Sequence, residues 1–259
     1  ALYQEAGSIV AVSSCSFEKY LSKRNGGFAF LQENSQLLLS TATVAECECS
    51  RGGALYLNDG CSLTVNSANV LSSSAEIAGG MCLHPDSACM YWSASCQTRG
   101  IELLRRNYGS RLPHGAGGIY IAGSVFANVS DLVVANCTTE GSGGGIFLDG
   151  ECDMSGGVTF QANTASLGAG LYLSTKASLQ GCDGCQFLNN TALSSAGGIY
   201  VDAVASANIS LAHFAYNTAY LYGGAGFVKS GLAVVRTSSF TMNRACSGVS
   251  HNAFIAIQV

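Results

Sequence analysis

One pattern returns along the whole chain at a nearly constant interval, and few folds can accommodate it. Two or three small residues precede a short apolar segment with an aromatic residue at its centre. Following that central position gives Tyr3, Phe30, Tyr56, Cys82, Tyr120, Phe147, Tyr172, Tyr200, Phe227 and Phe254. The intervals are 27, 26, 26, 38, 27, 25, 28, 27 and 27 residues, so only one leaves the mid-twenties. A second marker, F-x-x-N-T-A, starts at Phe160, Phe187 and Phe214 and persists in part at Phe240. Asn136, Asn163, Asn190, Asn217 and Asn243 follow one another at 27, 27, 27 and 26 residues. A fixed period of this length marks a chain of stacked repeats.

Helical repeats need long segments with a 3.6-residue apolar period, and none is present. The apolar segments are short, as at Gly118-Ile119-Tyr120-Ile121 and Ala233-Val234-Val235, and are bounded by Gly, Ser, Asn and Asp. That is the punctuation of strands. A repeat of about 26 residues has room for three short strands and three turns. The expected fold is all-β: a right-handed parallel β-helix of nine to ten coils of about 26–27 residues, right-handed because parallel crossovers nearly always are. Residues 1–259 then form a single solenoid. Phe160, Phe187, Phe214 and Phe240 should stack inside it, and Asn163, Asn190, Asn217 and Asn243, with Asn136, should form an amide ladder at a turn.

The G-G-A-(I/L/V) segment paired with F-x-x-N resembles the repeat of the chlamydial polymorphic outer-membrane proteins. The likeness spans nearly all of the chain, is best from Val133 to Phe254 and loosest from Asp86 to Ala116. It implies a β-helical passenger domain displayed on a surface, acting as an adhesin. Similar repeats also occur in large surface proteins of algae and other protists.

Composition narrows the setting. Charged residues make up 11% of the chain, the net charge is −4, and the 12 Lys and Arg are scattered, so no basic stripe offers itself to nucleic acid. No apolar run approaches the length of a membrane-spanning helix. Twelve cysteines point to an oxidising compartment. The disulfide candidates are Cys47, Cys49, Cys61, Cys82, Cys89, Cys96, Cys137, Cys152, Cys182 and Cys185. Cys182-Asp183-Gly184-Cys185 also has the form of a zinc half-site, but His84, His114, His213 and His251 supply no pair at ligand spacing. No metal or other cofactor is expected.

Four N-x-(S/T) sequons stand at Asn128, Asn136, Asn189 and Asn208. Ala207, Ile209 and Leu211 alternate with Asn208 and Ser210, which turns Asn208 outward, and Asn128 likewise. Asn189 directly precedes a ladder position and should face solvent. Asn136 counts as a ladder residue itself, so its amide is the least accessible of the four. Together with the cysteines, the sequons place the chain outside the cell, as a secreted or surface glycoprotein carrying N-linked glycans.

The long interval falls at about 86–116, read as one or two loops projecting from the coil, one of them stapled by Cys89 and Cys96. Trp92, Arg105 and Arg106 make it the candidate binding loop, because loops on a rigid scaffold carry function more often than the scaffold does. The position two after each central aromatic reads as a turn: Gln32, Asn58, His84, Ala122, Asp149, Ser174, Asp202 and Lys229. A column of carboxylates there would suggest a calcium ladder or a glycosidase pair. Asp149 and Asp202 are instead separated by a coil carrying Ser174, which puts them about 10 Å apart, so these are read as solvated turns.

The first and last segments are in repeat phase. The expectation is a segment of a longer protein, or a unit that associates end to end with its like. Three functions compete. The first is a non-catalytic structural rod built into a larger surface assembly or filament. The second is an adhesin that binds glycan or protein through its loops. The third is a polysaccharide-active enzyme, for which no repeated acidic constellation is found.

Overall fold

In a computed structural model the protein is described over residues 2–247, apart from 24, 33, 41, 59–60, 67–68, 72, 78, 84–94, 100–102, 106–107, 110–115, 124–125 and 156. The chain is a parallel β-solenoid. Four strands make each coil, where the length of the repeat suggested three. In one coil these are Leu171–Leu173, Ser178–Cys182, Gln186–Leu188 and Thr191–Ser195, after which the next coil begins at Ile199–Val201. The additional strand is the Thr-Ala end of the F-x-x-N-T-A marker, turned onto a face of its own by the corner that precedes it.

Each strand pairs with its counterparts one coil before and one coil after, and all pairings among the described residues are parallel. The first face is a nine-stranded sheet from Leu2–Gln4 to Gly226–Val228. The second and third faces, also nine-stranded, run from Ile9–Ser13 to Leu232–Arg236 and from Ser16–Glu18 to Ser239–Thr241. The fourth, eight-stranded, runs from Glu48–Arg51 to Arg244–Ala245, and bridges at Leu21 and Asn25 carry its ladder toward the first coil. No helix occurs among the described residues, so none is long and apolar enough to cross a membrane.

Alternation sorts the side chains. On the first face Leu171 and Leu173 point into the core while Tyr172 points out. On the second, Ala207 and Ile209 are buried and Asn208 is exposed. The third face contributes one aromatic column. The Phe160 and Phe187 rings stack at 4.7 Å, Phe187 and Phe214 at 4.6 Å, and Phe214 and Phe240 at 5.1 Å, all within 9° of parallel. Phe160, Phe187 and Phe214 are wholly buried. Gly145, Gly170 and Gly198, each just before a first-face strand, leave room for this column: a Cβ on Gly198 would stand 2.2 Å from the Ala225 carbonyl oxygen and 3.0 Å from the Phe214 ring.

Three of the four corners turn on a single left-handed residue. Between the second and third faces these include Ser14, Asp131, Gly184, Leu211 and Thr237. Between the third and fourth they include Lys19, Glu46, Asn136, Ala162, Asn189, Tyr216 and Met242. Between the fourth face and the next coil they include Gly26, Gly52, Gly143, Gly168, Ala196 and Gly223. The remaining corner, from first face to second, is a turn closed by an N–H bonded to the carbonyl three residues back, as from Ala177 to Ser174 at 3.0 Å and from Ala205 to Asp202 at 3.3 Å, and Gly7, Asn34 and Val204 are left-handed within it.

Part of the region 86–116 belongs to the coil itself. Ser95–Arg99, Leu103–Arg105 and Tyr108–Gly109 are ordinary rungs of the second, third and fourth faces. The extra length falls in two stretches outside the described residues, 84–94 and 110–115. From Met81 to Ser95 the coil takes 14 residues where Ile119 to Phe126 takes 7, and from Tyr108 to Ile119 it takes 11 where Ser74 to Met81 takes 7. Cys96 sits in register between Leu63 and Ala127 within a strand. Cys89, Trp92 and Arg106 lie outside the described residues, and Arg105 closes a third-face strand paired with Leu71 and Ala135.

Candidate functional site

Two features of the solenoid concentrate polar chemistry: the asparagine corner beside the phenylalanine column, and the turn that follows the first face. At the corner, Asn190 grips three coils. Its side-chain Nδ2 donates to the Phe160 carbonyl of the coil before at 3.0 Å and to Asn217 Oδ1 of the coil after at 2.9 Å. Its Oδ1 accepts from the backbone N–H and the Nδ2 of Asn163, both at 3.0 Å. Asn217 repeats the pattern with Phe187 and Asn243. These asparagines are buried, and each satisfies backbone groups that the tight corner leaves without a strand partner.

Asn136 is not part of this ladder. Val134 pairs with Phe160, a step of 26 residues, so the residue stacked under Asn163 is Cys137. The Asn163 Oδ1 accepts from the Cys137 N–H at 2.9 Å, and the ladder ends there. Equal spacing along the sequence hid a one-residue change of phase. Asn136 instead occupies the left-handed corner position, exposed, in the same row as Asn189. Asn189 is exposed too, as is Asn208, whose Oδ1 accepts from Arg236 Nη1 at 3.1 Å. Asn128 pairs in register with Asp153 on the second face.

The cysteines also require correction. One disulfide is present among the described residues, Cys182–Cys185, and it spans the left-handed corner at Gly184. Cys47, Cys49, Cys61, Cys82, Cys137 and Cys152 are buried thiols. The reason is geometric: they stand in different columns of the solenoid or, where they share one, several coils apart. Cys47 takes the ladder position three coils from Cys137, too far to bridge at about 4.8 Å per coil, and its N–H reaches Ser73 Oγ at 3.4 Å. Cys82 takes the place of an aromatic residue between Tyr56 and Tyr120. Burial pushes the Cys49 thiol up to about 11 and raises Cys82 further, so neither is an available nucleophile.

The second feature lies outside the core. The outward aromatics of the first face form their own column: Tyr120, Phe147 and Tyr172 stack at 5.2 and 5.0 Å, and Tyr172 on Tyr200 at 5.1 Å. Beside it runs the turn row Asp149, Ser174, Asp202 and Lys229, whose N–H groups each bond the preceding coil. These are not simply solvated turns. The Tyr172 hydroxyl donates to Asp202 Oδ2 at 2.7 Å, Lys229 Nζ stands 3.3 Å from Asp202 Oδ1, and the Ser174 hydroxyl donates to Asp149 Oδ1. Burial opposes the charge on Asp202, but the Tyr172 hydroxyl, the Ala203 N–H and Lys229 outweigh it and lower its pKa. Burial, then the Asp202 carboxylate, raises Tyr172. Burial with the Asp149 and Cys82 charges pushes Tyr120 up to about 12.

A cavity of about 210 Å³ opens where the column meets the row, lined by Tyr120, Phe147, Asp149, Tyr172, Ser174, Thr175 and Asp202. No group of three or more His, Cys, Asp or Glu side chains among the described residues could hold a metal ion. The sequence contained a signal for this cavity in the period itself: acidic residues at a fixed offset from a tyrosine column, interrupted once by Phe147. What the linear reading missed was that a tyrosine on one coil reaches an acid on the next.

No protein-family model, no curated protein and no solved structure matches the chain. Its class is set by the fold alone, a parallel β-solenoid with stacked aromatic and asparagine columns.

Proposed function

We propose that this chain is a structural rod: a non-catalytic, secreted surface glycoprotein that forms part of a larger assembly or filament. The observation that carries the reading is the continuity of the ladders, four faces deep, with inward columns of Phe and Asn fixing one coil on the next. Such a scaffold resists bending because successive coils are bonded through their sheets, and from Asn163 to Asn243 also through a corner amide. The polar outer rows support the glycoprotein part. Asn136 and Asn189 present their amides at exposed corners, and Asn208 does so from an exposed strand position. The disulfide at Cys182–Cys185 fits an oxidising compartment. At Asp202 the pKa moves down, opposite to what a general acid for glycoside cleavage requires.

Glycopeptide mass spectrometry of the native protein tests the compartment. Occupied Asn136, Asn189 and Asn208 agree with the reading, and all three bare would remove it. The assembly part is tested on residues 1–259 expressed alone: light scattering should show concentration-dependent association, and a monomer at high concentration would end the claim of self-stacking.

A further inference from the structure

The cavity beside Phe147 has no place in a purely structural rod. Its floor is the one rung of the Tyr120–Tyr200 stretch that lacks a hydroxyl, since Phe147 stacks between Tyr120 and Tyr172. The missing hydroxyl leaves a notch, and the polar groups around it are of mixed kind. Asp149 and Asp202 supply acceptors. Ser174 and Thr175 supply hydroxyls, and Tyr120 carries a phenol that stays protonated at neutral pH. Asp149 and Asp202 stand two coils apart in the turn row, about 10 Å at the spacing of paired strands. That distance is bridged by a ring-sized ligand hydrogen-bonded at both ends, and is too long for one shared ion. Two carboxylates disfavour an anion. Lys229 already offsets the charge of Asp202, which weakens the case for an organic cation. A volume of 210 Å³ is below that of sites for drug-sized molecules, about 300–1,000 Å³. The aromatic edges of Phe147 and Tyr172 offer an apolar wall. A ligand with hydroxyls around its rim and C–H groups on its face meets all of these conditions.

We infer that this cavity binds one sugar ring, its hydroxyls donating to Asp149 and Asp202 and its C–H groups packed against the edges of Phe147 and Tyr172. The site is distinct from the glycan-bearing asparagines, so it holds whether or not those are occupied. Saturation-transfer NMR titrations on residues 1–259, with the methyl glycosides of glucose, galactose, mannose and N-acetylglucosamine, test it. Calcium chloride serves as the ion control. At least one glycoside should bind saturably. Phe147→Tyr completes the hydroxyl row, is compatible with a column that already holds tyrosine on both sides, and fills the notch. It should weaken binding about tenfold or more while leaving the melting temperature near that of the parent, and Asp149→Asn should weaken it about tenfold through loss of a charged acceptor. No saturable binding by any of the four glycosides, or binding unchanged in both variants, would overturn the inference. So would calcium binding that Asp149→Asn abolishes in the absence of any sugar binding.

Discussion

At the scale of single residues, the phenylalanine and asparagine columns hold the coils in register by different means. Phe187 is buried between two parallel rings, and coils bonded on four faces cannot collapse into the space that its removal leaves. Phe187→Ala should therefore cost about 3–5 kcal/mol in chemical denaturation, and a loss below about 1 kcal/mol would mean that the column carries little of the stability. Asn190→Ala removes no comparable volume but strands the Phe160 carbonyl and the Asn163 N–H. A loss of about 2–4 kcal/mol is expected, from two buried groups without partners. The outward tyrosines report on the second column. Burial raises Tyr120, Tyr172 and Tyr200, so their contribution to stability is fully present below the ordinary tyrosine pKa of about 10. It is lost as pH rises through the raised values. Among the 11 tyrosines, absorbance near 295 nm should show a late group, with Tyr120 and Tyr172 still protonated at about pH 11. A single step near pH 10 for all of them would contradict the buried column.

At the scale of elements, the strands are unremarkable and the corners are where the sequence is under strain. Ala162, Leu211, Tyr216 and Met242 all adopt left-handed backbone angles that cost an L-residue about 1–2 kcal/mol. Ala162→Gly removes that cost without touching the buried Asn163. It should raise stability by about 0.5–1 kcal/mol in equilibrium unfolding, after the larger entropy of glycine in the unfolded chain is subtracted. A fall in stability would mean that the corner is not strained. The same corners explain what could and could not be read from the sequence. The Phe column was legible because an inward aromatic at a constant interval has one explanation. The corners were not, because Tyr216 and Met242 are left-handed by position in the coil and carry no turn signal of their own. Asn136 was misplaced because a count along the chain cannot detect that one coil between Val134 and Phe160 is a residue short. The buried cysteines resembled a disulfide framework in number, but Cys47 and Cys137 fill ladder positions that elsewhere hold asparagine. The cavity at Phe147 was hidden because its walls come from successive coils, and no linear motif joins Asp149 to Tyr120.

At the scale of the whole molecule, the fold repeats one solution: an apolar core of constant cross-section, with sequence variation moved to the outward rows. The strands on either side of 84–94 and 110–115 continue the ladders in register. A scaffold of this type gives length and stiffness, which is the basis for the structural role proposed. Its outward rows then set what it carries and touches: exposed asparagines at one corner and on one face, and a sugar-sized notch beside another. The most direct test is cryo-electron microscopy of the native assembly at a resolution that separates strands. The account predicts rods in which parallel rungs follow one another at about 4.8 Å along the axis, with added density at the Asn136 and Asn189 corners. Isolated particles with no axial continuity, or rungs running across the rod instead of stacking along it, would contradict it.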